Sequence, residues 1–181
     1  GGFTTVCDAG TRAAEGLDAI ARATADAGVR CVLAKICHDD GSRHGALLAE
    51  AEAFLGRGGP LLHPSLAVAI PEASTDAMIH AASRLAGEAG VTFQVHVNEH
   101  LASVERSLVA RGLRPLQHLA AAGALGPQAL LAHCTMLTAD EMLLLRDSGS
   151  AVAINPVASQ WKGNAVAPTT VLAALGVRLG L

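Results

Sequence analysis

The sequence predicts an α/β protein in which short strands and longer helices alternate from one end to the other. Seven apolar runs are separated by six helical stretches, no linker or low-complexity segment interrupts them, and several runs end in polar residues able to do chemistry. Strict strand-then-helix alternation implies a parallel sheet, because parallel neighbours need a crossover and a helix is the usual one. An open doubly wound sheet and a closed barrel both satisfy that rule. Glu99 after the fourth run, His133 and Cys134 in the fifth and Asn155 after the sixth favour the barrel. Barrel enzymes collect reacting groups at the carboxyl ends of many strands, whereas an open sheet gathers them at one switch point.

Phe3–Asp8 reads as the first strand, followed by a helix over Thr11–Ala27 that Gly28 closes. Val29–Cys37 is the second strand, its β-branched residues set among other apolar ones. The polar loop His38–Gly45 leads into a helix over Ala46–Leu55. Leu61–Ile70 is a third strand interrupted by Pro64, a residue usually kept to sheet edges. Ser74 or Thr75 caps the next helix, where Met78, Ile79, Ala82 and Leu85 form an apolar stripe. Gly90 ends it, and Val91–Asn98 is the clearest strand of the chain. Helices over Leu101–Arg111 and Pro115–Ala122 are divided by Gly112. Ala129–Cys134 is a strand, and Thr138 with Glu141 forms a capping box opening a helix that runs to Asp147. Ala151–Ile154 is a strand followed by a polar loop, Pro168 lies at the start of a last helix, and Val177–Leu181 begins another strand.

The 181 residues suit one domain with a substantial core, 51% of them apolar and 16% charged. A net charge of −3 supplies no basic face for nucleic acid, and three phenylalanines with one tryptophan supply no stacking platform. No run of 18 apolar residues is present to span a membrane, and the first residues lack the pattern of a signal peptide. Cys7, Cys31, Cys37 and Cys134 form no C-x-x-C pair, so neither a disulfide framework nor structural zinc is expected, and a reducing cytoplasm is the expected setting.

Within Phe93–His100, alternation puts Phe93, Val95 and Val97 on one face and Gln94, His96 and Asn98 on the other. The first set suits packing against helices and the second a barrel interior. Glu99 follows three residues after His96, within reach of anything His96 holds. An imidazole that binds an ion and a carboxylate that takes and returns a proton are what a metal-activated water requires. A hydrogen-bonded core histidine beside a solvated glutamate is the plainer alternative. His133 ends an otherwise apolar strand and alone reads as structural; neighbouring strands lie about 5 Å apart, so it can share a site with His96. Cys134 then alternates to the opposite face. Asn155–Pro156 ends a strand, and the segment after it either holds a substrate or turns the chain; Trp161 within it is a candidate lid. Lys35 reads as a strand-end lysine reaching water, His38, Asp39 and Asp40 as a solvated loop, and His44, His63, His80 and His118 as unpartnered structural or surface residues. Cys7 and Asp8 close the first strand and can line the mouth.

Several segments in order resemble the amidohydrolase superfamily, in particular its cytosine-deaminase-like and chlorohydrolase-like aminohydrolases. Gly2–Thr5 resembles a G-x-T-T strand, His96–Glu99 an H-x-A-E strand end, Arg114–Cys134 the stretch that follows, Thr138–Glu141 a T-x-x-E helix and Asn155–Pro156 an N-P turn. The resemblance covers nearly the whole chain. It implies a (β/α)8 TIM-type barrel, incomplete, with about seven strands present and the first strand and the end of the last missing. Residues 1–181 are then a single partial barrel domain of a metal-dependent hydrolase. It further implies one divalent metal, zinc before iron, with His96 as the metal ligand present. The other expected ligands, a His-x-His on the first strand and an aspartate after the last, are absent from this sequence, which reads as an internal and inactive piece of a longer enzyme.

By the same resemblance Glu99 is the proton-shuttling carboxylate and His133 the histidine that contacts the water or the substrate. Asn98, Asn155 and Trp161 are expected to bind the substrate. Asn98 and His100 depart from the usual alanine and threonine, and Ile70–Thr75 lacks a histidine that some relatives use. The implied reaction is hydrolytic deamination of a small, nucleobase-like nitrogen heterocycle by a metal-activated water. A triazine-type chloro- or aminohydrolase and a non-catalytic barrel scaffold are the alternatives. A small heterocyclic substrate and a homodimer are the expected partners, with no nucleic acid and no membrane.

Overall fold

The computed structural model describes residues 2–11 and 14–181. Its strands are β1 (Thr5–Thr11), β2 (Arg30–Ile36), β3 (Leu62–Val68), β4 (Phe93–Val97), β5 (Ala129–His133), β6 (Ala151–Ala153) and β7 (Arg178–Gly180). Between them lie α1 (Ala14–Asp26), α2 (His44–Leu55), a 3₁₀ turn (Pro71–Ala73), α3 (Asp76–Glu88), α4 (Leu101–Arg111), α5 (Pro115–Ala121), α6 (Ala139–Ser148), α7 (Pro156–Lys162) and α8 (Thr169–Ala174). The seven strands pair in sequence order, and every pair is parallel. This is an incomplete (β/α) barrel rather than an open doubly wound sheet, whose strand order would reverse about its first strand.

The helix-facing side of the sheet makes the core. Leu66, Val68, Phe93, Val95, Val97, Leu131 and Val152 pack with Met78, Ile79, Leu116, Leu119, Leu145 and Leu172 of the helices. Burial of each such side chain contributes about 1.5–3 kcal/mol relative to exposure. A smaller cluster of Leu17, Cys31, Leu33 and Phe54 seats α1 and α2. On the inner face, Gln94 reaches across three strands. Its amide donates to Ser65 Oγ at 3.0 Å and to the Val32 and Asp8 carbonyls at 3.4 and 3.5 Å, so one polar side chain draws β1 to β4 into a curl.

Local signals set most boundaries. Thr75, one of the two expected caps, accepts the Met78 N–H at 3.2 Å, and Thr138 and Glu141 form the expected capping box. Pro168 is the N-cap of α8. Pro64 is accommodated inside β3 because of where β4 begins. The Leu66 N–H turns toward β4 to meet the Thr92 carbonyl, so the Pro64 nitrogen, two residues earlier, faces the same side. The β3–β4 register starts only at Leu66, and no ladder bond is lost.

Two boundaries correct the sequence reading. β1 runs on past Asp8 to Thr11, because Asp8 Oδ1 accepts the Gly10 N–H at 2.7 Å and a bulge there restores pairing at Thr11 with Lys35. Gly10 has φ +81, and a Cβ on it would lie 1.7 Å from the Ala34 carbonyl oxygen, so only glycine fits. The helix expected from Thr11 therefore starts later, and its expected positions 12 and 13 lie outside the described residues. The segment after Asn155, expected as a polar loop, is α7. Pro156 stands in its first turn, where a missing N–H costs nothing, and Gly163 ends it at φ +67.

Candidate active site

The carboxyl ends of β4 and β5 converge at one rim. In β4, Gln94 and His96 face the inside while Phe93, Val95 and Val97 face the helices, as alternation predicts. In β5, Leu130 and Ala132 line the inner cavity with His96, whereas Ala129 and Leu131 are in the core. Strict alternation would send Asn98 inward and His133 outward. Both are reversed. Among the described residues, the non-glycine residues with positive φ are Asn98 (+50), His133 (+76) and Cys134 (+51), all at these two strand ends. Each costs on the order of 1–2 kcal/mol. Strain concentrated this way marks a site whose geometry the surrounding structure enforces.

The reversal at His133 brings its ring to the rim, 5.5 Å from the His96 ring between centroids. The two imidazoles lie side by side, the proximity that neighbouring strand ends predict. Cys134 is turned away and fully buried in the helix-side core, where burial pushes its thiol far up. The reversal at Asn98 corrects the expectation that its side chain shares the inner face with Gln94 and His96, while the residue still lines a small cavity with His96 and Glu99. Its amide lies in the helical layer, donating to the Met136 carbonyl at 3.1 Å and Glu141 Oε1 at 3.0 Å and accepting the Leu116 N–H at 3.1 Å. Glu141 is fully buried there, and its Oε2 also takes the Thr138 N–H and Arg114 Nε. Asn98 thus fastens β4 to α5 and α6, and its hydrogen-bonding groups are engaged by the protein.

His96 is oriented by its neighbour strand. Its Nδ1 lies 3.0 Å from the Ala69 carbonyl, which also accepts the His96 backbone N–H at 3.1 Å. A carbonyl only accepts, so Nδ1 carries a proton and Nε2 is the ring nitrogen left to face a metal. Among the described residues no group of three or more His, Cys, Asp or Glu side chains could hold an ion, and His96 stands as a single candidate donor.

Glu99 Oε1 lies 3.7 Å from His133 Nε2 and accepts from Lys162 Nζ at 2.5 Å and Asn164 Nδ2 at 3.5 Å. Burial pushes the Glu99 carboxyl up, but the hydrogen bond from Lys162 and the charges of His133, Lys162 and His100 outweigh it and hold the group below the usual carboxylate range. His133 is held below the usual histidine range, first by burial and then by the charges of His96, Lys162 and His100, against the opposing pull of Glu99. The pair is therefore a carboxylate beside a neutral imidazole at neutral pH. His133 Nδ1 is buried with no partner among the described residues.

Asn155 lines two cavities beside these groups, of about 110 Å³ with His96 and about 100 Å³ with His133. Trp161 is 89% exposed on α7 and borders an apolar groove shared with Phe3 and Leu181. Lys35 pairs with Glu50 at 2.9 Å instead of reaching water. Asp39 is buried and accepts the Gly41 and Arg43 N–H groups, which correct its reading as solvated. His118, expected to be unpartnered, meets Asp76 Oδ1 at 2.7 Å through Nε2. Lys162 and Asn164 around Glu99 escaped the sequence reading, since nothing local links the end of α7 to a loop some sixty positions earlier.

Residues 1–180 match the model of the amidohydrolase family. The chain belongs to that family. Among curated amidohydrolase relatives, a 5'-deoxyadenosine deaminase of Methanopyrus kandleri is 29% identical over 90% of this chain and 39% of its own length. A 5-methylthioadenosine/S-adenosylhomocysteine deaminase of Syntrophobacter fumaroxidans is 27% identical over 90% of this chain and 38% of its own. The chain thus spans about two fifths of the length of the curated relatives it matches. Among solved amidohydrolase structures, the atrazine chlorohydrolase of Arthrobacter aurescens, crystallised with zinc, superposes with a TM-score of 0.87 at 20% identity, covering 99% of this chain and 44% of that one. That likeness establishes the barrel architecture of these seven strands.

Proposed function

We propose that this amidohydrolase chain carries the proton-transfer half of a hydrolytic aminohydrolase site that releases ammonia from a small nitrogen heterocycle. The observation that carries it is the convergence of His96, His133 and the Glu99 carboxylate at one strained rim. The names of the curated relatives, adenosine-type deaminases, support the same class of substrate.

His96 would hold a divalent ion through Nε2, zinc being the ion found with the chlorohydrolase of the same fold. Such an ion supplies Lewis acidity that brings a water molecule's pKa toward neutrality. Glu99, an anion at neutral pH, accepts the proton of the attacking water at Oε1 or Oε2 and returns it to the ring nitrogen and then to the leaving amine. Lys162 and Asn164 keep the carboxylate aimed into the site. His133, neutral and held by its strained backbone, steadies the oxygen that develops at the attacked carbon. In this reading Asn155, which lines the cavities beside His96 and His133, contacts the ring, and Trp161 on the neighbouring groove covers the mouth.

The test is Glu99→Gln in the protein as expressed from its native gene. Ammonia release should fall by about 10²–10⁴-fold while metal content, read by elemental analysis, stays at the wild-type level. Ammonia release within a few-fold of wild type would remove Glu99 from the mechanism.

A further inference from the structure

One polar group at this rim is explained by neither the fold nor the proton transfer. Glu72 stands in the 3₁₀ turn that follows β3, three residues beyond Ala69, whose carbonyl orients His96. The turn is fixed at both ends. Ser74 Oγ meets the Cys37 carbonyl and the Asp39 N–H at 3.4 Å, the Thr75 N–H donates to the Asp39 carbonyl at 3.2 Å, and Arg111 reaches the Ser74 carbonyl at 3.5 Å. The Glu72 side chain is only 8% exposed. Its Oε1 meets Arg106 Nη2 at 3.4 Å, while its Oε2 is buried without a partner among the described residues. It lines a small cavity of about 20 Å³ together with Ile70, His96, Glu99, His100 and Arg106.

A buried carboxylate oxygen with no hydrogen bond costs several times what an ordinary buried polar atom does. Such a group persists in a native fold when an ordered water or a ligand completes it. The cavity is large enough for one water-sized group and no more. Its other walls include the candidate metal ligand His96 and the candidate proton carrier Glu99. Whatever completes Glu72 therefore lies beside the reacting atoms. A carboxylate accepts hydrogen bonds and cannot donate them. Opposite a ring nitrogen that presents a lone pair, it would bring two acceptors together, and opposite an N–H it forms a charge-assisted bond.

We propose that Glu72 is a specificity-determining residue of this site, accepting a hydrogen bond through Oε2 from a ring N–H of the substrate. It selects amino-oxo heterocycles of the guanine kind, whose edge carries N–H donors next to the reacting carbon. It rejects rings of the adenine kind, whose ring nitrogens on that edge are acceptors. The inference rests on the deaminase reading above and narrows it.

The experiment compares guanine and adenine as substrates for the natively expressed protein and for its Glu72→Gln and Glu72→Asp variants. Initial rates give kcat and KM separately, and calorimetry gives the affinity for each base. The wild type should favour guanine over adenine by about 10- to 100-fold in kcat/KM, the worth of one charged hydrogen bond. Glu72→Gln, whose amide can meet either edge, should reduce that preference at least tenfold, mainly by raising KM for guanine. Glu72→Asp keeps the charge, withdraws the oxygen by one methylene, and should give an intermediate preference. Two ribose-bearing controls, guanosine and adenosine, show whether a sugar hydroxyl rather than the ring supplies the donor. A loss in Glu72→Gln that falls equally on both nucleosides and on neither free base would overturn the ring assignment. A guanine-to-adenine ratio unchanged within twofold in both variants would assign Oε2 to an ordered water and end the proposal. If no heterocycle releases ammonia, the deaminase reading fails separately, and calorimetry still decides the Glu72 question. Guanine binding at least tenfold weaker in Glu72→Gln sustains it, and equal binding refutes it.

Discussion

The two ends of the same parallel sheet differ in the state of their polar groups more than in the space they enclose. At the amino end of β4–β7, a groove of about 550 Å³ is bordered by Gly87, Gly90, Gln128 and Arg178. Its polar groups are settled. Gln128 donates to Ser83 Oγ at 3.0 Å, and Arg178 donates to the Pro127 and Gly149 carbonyls at 3.0 and 2.7 Å. At the carboxyl end, the cavities around His96 and His133 measure about 20, 100 and 110 Å³. Yet that end holds the three strained non-glycine residues, the unpartnered Glu72 Oε2 and His133 Nδ1, and a carboxylate and an imidazole with displaced pKa values. The carboxyl end is set apart by polar groups left incomplete and backbone held under strain, which the described residues bordering the groove at the amino end lack.

If the rim is enforced by its support, removing that support should do more damage than any change at the other end. Glu141→Ala leaves Asn98 and Arg114 facing an empty, fully buried position. It should destabilise the chain by about 3–5 kcal/mol, read as a lower denaturant midpoint. A loss below about 1 kcal/mol would show that the network is not what holds the reversed alternation. Gln128→Ala at the amino end removes one partly buried hydrogen bond and should cost about 1 kcal/mol. It should leave ammonia release unchanged, and a matching loss of activity would erase the distinction between the two ends.

A smaller effect sharpens the comparison from outside the barrel. The Asp76 carboxyl is held below the usual carboxylate range by its hydrogen bond from His118, against partial burial, with the charges of His118 and Arg111 adding to it. A carboxyl lowered by folding stabilises the fold above its unfolded value, near about 4, and loses that contribution as pH falls through the lower folded value. Wild type should therefore exceed Asp76→Asn by less than about 1 kcal/mol at neutral pH, since the carboxylate is largely exposed. The gap should close on acidification below about pH 4. A gap constant in pH would mean that His118 contributes through packing alone.

Much of the fold was legible because its signals are local. The alternation of strand and helix, the Thr75 cap and the Thr138–Glu141 box depend on residues within a turn of one another. The pairing of His96 with His133 was legible at one remove, since neighbouring strands bring their ends together. The direction of the Asn98 side chain was misread because period two holds only while φ stays negative, and at Asn98 it does not. The reach of Gln94 across β1–β3 and of Lys162 to Glu99 left no local trace.

The sequence by itself determined the order of elements, the parallel sheet and the residue types at its carboxyl ends, because hydrophobic periodicity and capping act over a few residues. Only the tertiary structure decided which way the strand-end side chains point. That choice depends on left-handed backbone turns at Asn98 and His133, and contacts made by distant helices sustain them. It also placed the buried Glu72 carboxylate in one cavity with His96, a juxtaposition that no neighbouring residue in the chain could have foretold.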